Sequence, residues 1–412
     1  MEGAPTATGR PNDAADPGGP LPGPPEPWAP TAMPSPRGAP PWRMTEMIAA
    51  EPALAERIVG RVSGPGGAAE GLAAALRSAL ARGGIVLTTG CGTSEHAALG
   101  AAEILREAAL RAGLPAGGRL AAGQALEVAL DPGGAGLGPG SLLIAVSHEG
   151  ATAATNRALR AARSRGAVTA LVTAGGRSPG AGLADLVLAT GELDASWCHT
   201  VGYLSPLVAA AAVGAALVRE TLDAAAVRSL LAAGAAQAER AEELAAALAG
   251  ARELLVVASG ADRPAARELV LKVEEATWLP SAMRDLETLL HGHLPATGSE
   301  TGLVLILADR AARPDRLARA RQALAAAAAI GLRAGAILAR DADPLVAAEL
   351  TPAGRLLVDE SPALPAAVAA LLGTAAPLQL LAEHLARARG TDPDPIRRDD
   401  PRYREAAAAA GD

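Results

Sequence analysis

The sequence predicts an α/β protein built from two doubly wound parallel sheets in tandem, behind a disordered N-terminal tail. Three observations carry this expectation. Short apolar runs alternate with segments of helical periodicity, the pattern of parallel strands covered on both faces. The pattern occurs twice, on either side of a long helical stretch. A chain of 412 residues, half of them hydrophobic, is long enough for two cores.

Residues 1–43 are dense in Pro, Gly and Ala ("PGGPLPGPPEPWAP") and have few aliphatic side chains to bury, so they are expected to be disordered, with Met44 a candidate natural start. Residues 44–223 form the first expected domain. It opens with helices over Glu46–Val59 and Gly71–Ala81. Strands follow at Ile85–Thr89, Leu142–Val146, Val168–Thr173 and Leu183–Ala189, with helices at 95–112 and 152–165. A helix over 202–220 closes the unit. No charged residue lies between Thr200 and Val218, but the segment is mostly Ala with Ser205, Pro206 and Gly214, which is too weakly apolar for a membrane span and reads as a buried helix. The second expected domain, 224–390, repeats the plan. A helical stretch over Ala224–Ala249 leads into strands Leu254–Ala258, Leu303–Leu307, Ala336–Leu338 and Leu356–Val358. Helices Pro264–Trp278, Pro314–Ile330 and Ala363–Arg389 lie among and after them. Residues 391–412 are a C-terminal tail expected to reach the active site.

Composition narrows the function. The formal charge is −7, and no stretch concentrates Arg without compensating acids, so nucleic acid is not an expected partner. Cys91 and Cys198 have neither metal-ligand spacing nor a disulfide framework, which fits a reducing, cytoplasmic setting. The N-terminus has no basic start or apolar core of a signal peptide. Among the 37 basic residues a single one, Lys272, is lysine. An ammonium and a guanidinium differ in size, pKa and reactivity, so Lys272 stands out.

Ligands of doubly wound sheets bind beyond the carboxyl ends of the strands. At the first such end, "GCGTS" places Gly92, Thr93 and Ser94 at a helix N-terminus, where amides and hydroxyls can hold an anion. Alone, this turn fits an ordinary N-cap equally well. At the second, "SHEGAT" brings Ser147, His148 and Thr152 around Gly150, with a carboxylate, Glu149, in the middle. Two hydroxyl-rich turns in one sheet face the same crevice and together point to one anion or sugar-hydroxyl site. His199, in "SWCHTVG", gains interest only by location. On the helix "ARELVLKVEEATW", Lys272 and Glu275 are three apart and share a face, so that cation and carboxylate can converge on one atom; the alternative is a surface ion pair. His291 and His293 follow in "LLHGH". Lys, Glu and His near one sheet edge are what proton transfer beside a carbonyl requires.

With these motifs in order, the chain resembles the tandem sugar-isomerase (SIS) domain family, whose domains are flavodoxin-like. In particular it resembles the isomerase half of the glutamine:fructose-6-phosphate aminotransferases, over about residues 44–405. "MTEMIAAEP" is similar to Met-x-x-Glu-Ile-x-x-Gln-Pro, "GCGTS" to Cys-Gly-Thr-Ser, and "SHEGAT" to Ser-Gln-Ser-Gly-Glu-Thr. "SGADRPAARELVLKVEEAT" resembles Gly-Arg-Gly-x-x-x-Pro-x-Ala-x-Glu-Gly-Ala-Leu-Lys-Leu-Lys-Glu, "LLHGH" resembles Leu-Lys-His-Gly-Pro, and the end resembles a closing helix with Gly-Thr-Asp-x-Asp.

The resemblance implies that Thr93, Ser94, Ser147, His148 and Thr152 bind a sugar phosphate or amino-sugar phosphate. It implies that Glu275 shuttles a proton between C1 and C2, and that Lys272 stabilises the enediolate oxygen. His291 would open the sugar ring across a subunit interface, so a homodimer is implied. No cofactor is needed. Three departures matter. No glutaminase segment precedes residue 44, so glutamine hydrolysis is not expected. The family's C-terminal catalytic lysine is missing: Arg397, Arg398 and Arg402 stand in that region and cannot form a Schiff base. Glu149 replaces a phosphate-binding serine, and His293 a proline. The expected function is a phosphosugar or amino-sugar-phosphate isomerase, with a deaminating variant included. The alternative is a non-catalytic sugar-phosphate-binding regulator, disfavoured by the Lys-Glu-His set and the absence of a helix-turn-helix segment.

Overall fold

A computed structural model describes residues 16–21 and 37–410. Most of the segment expected to be disordered, 1–15 and 22–36, lies outside the described residues. Its described pieces touch the folded part: Leu21 is buried, and its amide donates to Glu192 (3.2 Å).

The first half runs α1 (Arg43–Val62), α2 (Ala68–Ala81), β1 (Val86–Gly90), α3 (Thr93–Arg111), β2 (Leu120–Gln124), α4 (Ala125–Leu130), β3 (Leu142–Val146), α5 (Ala153–Ser164), β4 (Val168–Thr173), β5 (Leu186–Ala189) and α6 (Val201–Leu217). Its five strands are parallel, in the order β2-β1-β3-β4-β5. The second half contains α7 (Ala224–Ala235), α8 (Ala238–Leu248), β6 (Glu253–Ala258), α9 (Arg263–Thr277), β7 (Ser281–Asp285) and the single turn α10 (Leu286–Thr288). It continues with β8 (Thr301–Leu307), α11 (Arg313–Ile330), β9 (Arg333–Ala339), β10 (Gly354–Val358), α12 (Ala366–Arg389) and α13 (Pro401–Ala410). Its sheet, β10-β9-β8-β6-β7, has the same parallel succession read from the other edge. In each sheet the chain reverses direction across the first and third strands, β1/β3 and β6/β8, which are the topological switch points.

The expected strands are present within a few residues, and two further ones occupy equivalent edges. β2 ("LAAGQ") and β7 ("SAMRD") each follow the first crossover helix, and their Ala, Gly and polar residues carry little strand signal because an edge is half-solvated. The helical stretch expected over 224–249 is two helices. At the break, the Gln237 carboxamide accepts from the amide of Leu357 (2.7 Å) and donates to its carbonyl (2.6 Å), completing β10.

One continuous core joins the inner faces of both sheets through α3, α6, α9 and α12, while smaller clusters lie under α4/α5 and under α11. The core crosses the domain boundary expected at 223/224: α7 packs on both α1 and α12. The weakly apolar 201–217 segment is enclosed, as its composition predicts, and is apolar on all sides. α12 is long and apolar enough to cross a membrane, but it is the central helix of this core. Polar caps tie the parts together. Glu107 of α3 accepts from the first amides of α12 (2.9 and 2.7 Å). Asp394 of the C-terminal tail accepts from the first amides of α1 (2.7 and 2.9 Å).

Candidate active site

Both hydroxyl turns flank the β1/β3 switch point. After β1 the chain passes so close to the start of α3 that a Cβ on Gly90 would lie 2.4 Å from the Ser94 carbonyl oxygen, so only glycine fits. Gly92 is exposed at the turn and Ser94 is half-buried, while buried Thr93 donates its hydroxyl to Glu268 (3.3 Å). After β3, the Ser147 and Thr152 hydroxyls are 3.2 Å apart and close the 147–152 turn. The Gly180 amide (2.8 Å to the Gly150 carbonyl) and the Thr173 hydroxyl (3.0 Å to the His148 carbonyl) support this turn from behind.

Helix α9 of the second half crosses α3 and presents Glu268, Lys272 and Glu275 to the first crevice, four and three residues apart on one helix face. Lys272 Nζ, fully buried, lies 2.5 Å from Glu275 Oε2 and 3.7 Å from Glu268 Oε1. Burial opposes its charge, but the carboxylates, Glu275 foremost, hold the ammonium above the ordinary lysine range. The two acids are pushed apart. Glu268 is buried, which alone would raise its pKa, yet Lys272 and the hydrogen bond to His96 Nδ1 (2.8 Å) bring it below the usual carboxylate range. Glu275 is lifted above that range by burial, against the pull of Lys272, although its side chain keeps 22% exposure to the crevice. An ionised anchor and a more basic, reachable carboxylate on one ammonium are suited to moving a proton.

The third wall is the 190–200 loop. Asp194 is its hub. Its carboxylate accepts from the amides of Ser196 (3.1 Å), Thr200 (2.7 Å) and Gly202 (3.1 Å), and its own amide donates to His148 Nε2 (2.9 Å). The rings of His148 and His199 are 5.1 Å apart. Cys198 is buried against Lys272 and Glu275, and burial pushes its thiol far up, so it is no nucleophile. The C-terminal tail meets this wall: Trp197 donates to the Asp394 carbonyl (3.1 Å), and the Thr391 hydroxyl donates to the Ala276 carbonyl at the end of α9 (2.7 Å). Arg397 lies over Trp278 and Tyr403, Arg398 over Trp197, and Arg402 pairs with Asp400.

Thr93, Lys272, Glu275, His148 and His199 thus converge, with Ser147 and Thr152 beside them. His291 does not join them within one chain. It is exposed, pairs with Glu287 (2.6 Å), and sits with Gly292 (φ +141°) in an irregular turn after β7. Glu149 is half-buried, is in no ion pair among the described residues, and its pKa is raised by burial. Sequence reasoning missed Glu268, His96 and Asp194. Glu268, one turn before Lys272, was legible from helical spacing, whereas the other two depend on how α3 and the 190–200 loop fold back. Among the described residues no cluster of three or more His, Cys, Asp or Glu side chains is placed to hold a metal.

His148 is held neutral, its pKa pushed down from 6.5 to about 3 by burial first and by His199 second. A folded-state pKa below the unfolded one gives stability that is whole above pH 6.5 and lost as pH falls toward 3. His148→Gln is therefore expected to flatten the fall of unfolding free energy between about pH 6.5 and 4 by up to about 1.4 kcal/mol per pH unit. Urea unfolding across that range checks this, and an unchanged slope would mean that the ring is protonated freely in the folded state.

No family model matches the chain. Over 271 residues, 63% of this chain, it is 29% identical to glutamine–fructose-6-phosphate aminotransferase (isomerizing) of Caulobacter vibrioides, and the match spans 43% of that protein's length. Among solved structures, the C-terminal domain of glucosamine-fructose-6-phosphate aminotransferase from Francisella tularensis superposes with a TM-score of 0.73 at 18% identity, covering 87% of this chain and 99% of that one. Tagatose-6-phosphate ketose/aldose isomerase from Escherichia coli gives 0.67 at 18% identity, over 88% and 97%. In fold, and in sequence over nearly two thirds of its length, the chain resembles the tandem SIS-domain proteins, and the isomerase part of the aminotransferases among them.

Proposed function

We propose that the protein is a cofactor-independent isomerase of a sugar phosphate or amino-sugar phosphate. The carrying observation is Lys272, fully buried between two carboxylates of opposed acidity, one of which accepts the Thr93 hydroxyl from the turn after β1. In this reading Glu275 takes the proton from C2 or C1 of the open-chain sugar and returns it to the neighbouring carbon. Lys272 favours negative charge on the carbonyl oxygen as the enediolate forms, in a site where low dielectric strengthens the interaction. Glu268 keeps the ammonium in place. Thr93, Ser94, Ser147 and Thr152, with the amides of α3 and α5, take the phosphate end. The names of the similar proteins, an aminotransferase that isomerises and a ketose/aldose isomerase, support the same reaction class.

The test is a binding screen over sugar phosphates and amino-sugar phosphates, followed by solvent deuterium incorporation at C1 or C2 of each binder. Exchange supports the isomerase, and ammonia release from an amino-sugar phosphate assigns the deaminating form. Binding without exchange favours a regulator instead. Glu149 is the specificity element of this reading: a carboxylate beside a bound dianion is repulsive unless it turns away or meets a hydroxyl or amine. Glu149→Ser is expected to tighten fructose 6-phosphate binding by roughly tenfold, about 1.4 kcal/mol. Calorimetric titration decides, and unchanged affinity would remove Glu149 from the phosphate's surroundings. A homodimer belongs to this proposal through His291, whose exposed position leaves it available to a second copy.

A further inference from the structure

The N-terminal segment and the 190–200 wall of the crevice meet at one buried carboxylate. Glu192 lies two residues before Asp194, and its side chain has no exposure to solvent. Arg57 of α1 reaches both of its oxygens, Nε to Oε1 and Nη2 to Oε2, each at 2.9 Å. Arg61 Nη2, one turn later, lies 3.5 Å from Oε1, and its Nη1 donates to the Thr190 carbonyl. The remaining partner comes from 171 positions away. The Leu21 amide donates to Glu192 Oε2 (3.2 Å), and its side chain is buried in the main core. The Gly18 carbonyl accepts from Arg57 Nη1 (3.2 Å), so the segment holds both members of the Arg57–Glu192 pair. Asp16 folds this piece into a turn: its carboxylate accepts from the Gly18 amide (2.9 Å) and its carbonyl from the Gly19 amide (3.0 Å). A carboxylate shielded from water is fixed in place only when its lone pairs are met, and here the N-terminal segment supplies one of the donors.

Glu192 fixes the entry to the wall. Gly191 turns at φ +78° directly under the Arg61 guanidinium, Leu193 is buried, and Asp194 follows. Asp194 then orients the His148 ring through its amide (2.9 Å) and the first turn of α6 through its carboxylate (2.7 and 3.1 Å). Further along, Trp197 ties the loop to Asp394. Residues 190–200 have no regular secondary structure, so their conformation depends on these anchors. We propose that residues 16–21 are a strap that positions the catalytic wall through Glu192, with Leu21 and Glu192 as positioning residues. Detaching the strap lowers turnover without altering any group that meets the substrate. The part in turnover rests on the isomerase reading above, and the hold on the wall does not.

The experiment uses Leu21→Asp in the full chain, which sets a second carboxylate against Glu192 and releases the strap. Two quantities are read. Backbone amide hydrogen exchange should speed up roughly tenfold or more across 190–202, while the strands and α12 keep wild-type protection. On a sugar phosphate that wild type isomerises, kcat should drop roughly tenfold, with a smaller change in KM. Leu21→Met, which refills the apolar site, should restore both. If the strap acts through Glu192, adding Glu192→Gln to Leu21→Asp should move neither reading by more than about a factor of two, whereas additive losses would mean that it acts elsewhere. Either reading unchanged in Leu21→Asp, or protection lost throughout the fold, overturns the inference and leaves the isomerase reading standing. If wild type turns over no sugar phosphate, the isomerase reading falls, and protection of the wall alone decides the strap.

Discussion

Glu275→Gln is expected to lower the C1/C2 deuterium exchange rate by roughly 10³-fold, the upper range for loss of a general base. Sugar-phosphate affinity should stay within about a factor of ten. The asymmetry follows from the geometry. The amide keeps the shape of the carboxylate and can still accept from Lys272 Nζ, which is 2.5 Å away, so the ammonium is not stranded. The hydroxyl turns after β1 and β3 are untouched. Only the proton-accepting form is lost. Because burial holds the Glu275 pKa above the ordinary carboxylate range, the acid limb of the wild-type kcat/KM profile should lie above that range too, with activity present above the limb and lost as pH falls through it. Retained exchange in the Gln variant would remove Glu275 from the chemistry and direct attention to Glu268.

Much of this was legible in the sequence, for physical reasons that also mark the limit. Central strands such as Leu142–Val146 are buried on both faces and must be continuous apolar runs, so they show themselves. β2 and β7 are half-solvated edges and do not. The Lys272–Glu275 pair could be read because helical spacing places both on one face, and Glu268 falls under the same rule one turn earlier. By contrast, the contact of His96 with Glu268 joins residues 172 positions apart. The Asp194 amide reaching His148 bridges 46. Such pairings depend on two crossovers packing together, which no local pattern encodes. Glu149 is a third kind of case: its oddness was visible at once, but its half-buried state required the fold.

Lys272 carries the second large effect, and it stands out before any geometry is considered, since every other basic residue is arginine. The reason lies in its surroundings. The ammonium is fully buried, bonded to Glu275 and near Glu268, and a compact cation with rotatable donors fits there where a planar five-donor fork does not. Lys272→Arg keeps the charge and is still expected to lower exchange roughly 100-fold or more, because a displaced guanidinium no longer meets the developing oxyanion. Lys272→Met removes the charge and strands two carboxylates, so unfolding free energy should drop by about 3–5 kcal/mol. In any Met protein that folds, the acid limb of the rate profile should move to higher pH, because the ammonium that pulls Glu275 down is gone. Denaturant unfolding reads the first effect and pH–rate profiles the second. An Arg variant with full activity would show that one lysine survived among 36 arginines by chance rather than by chemistry.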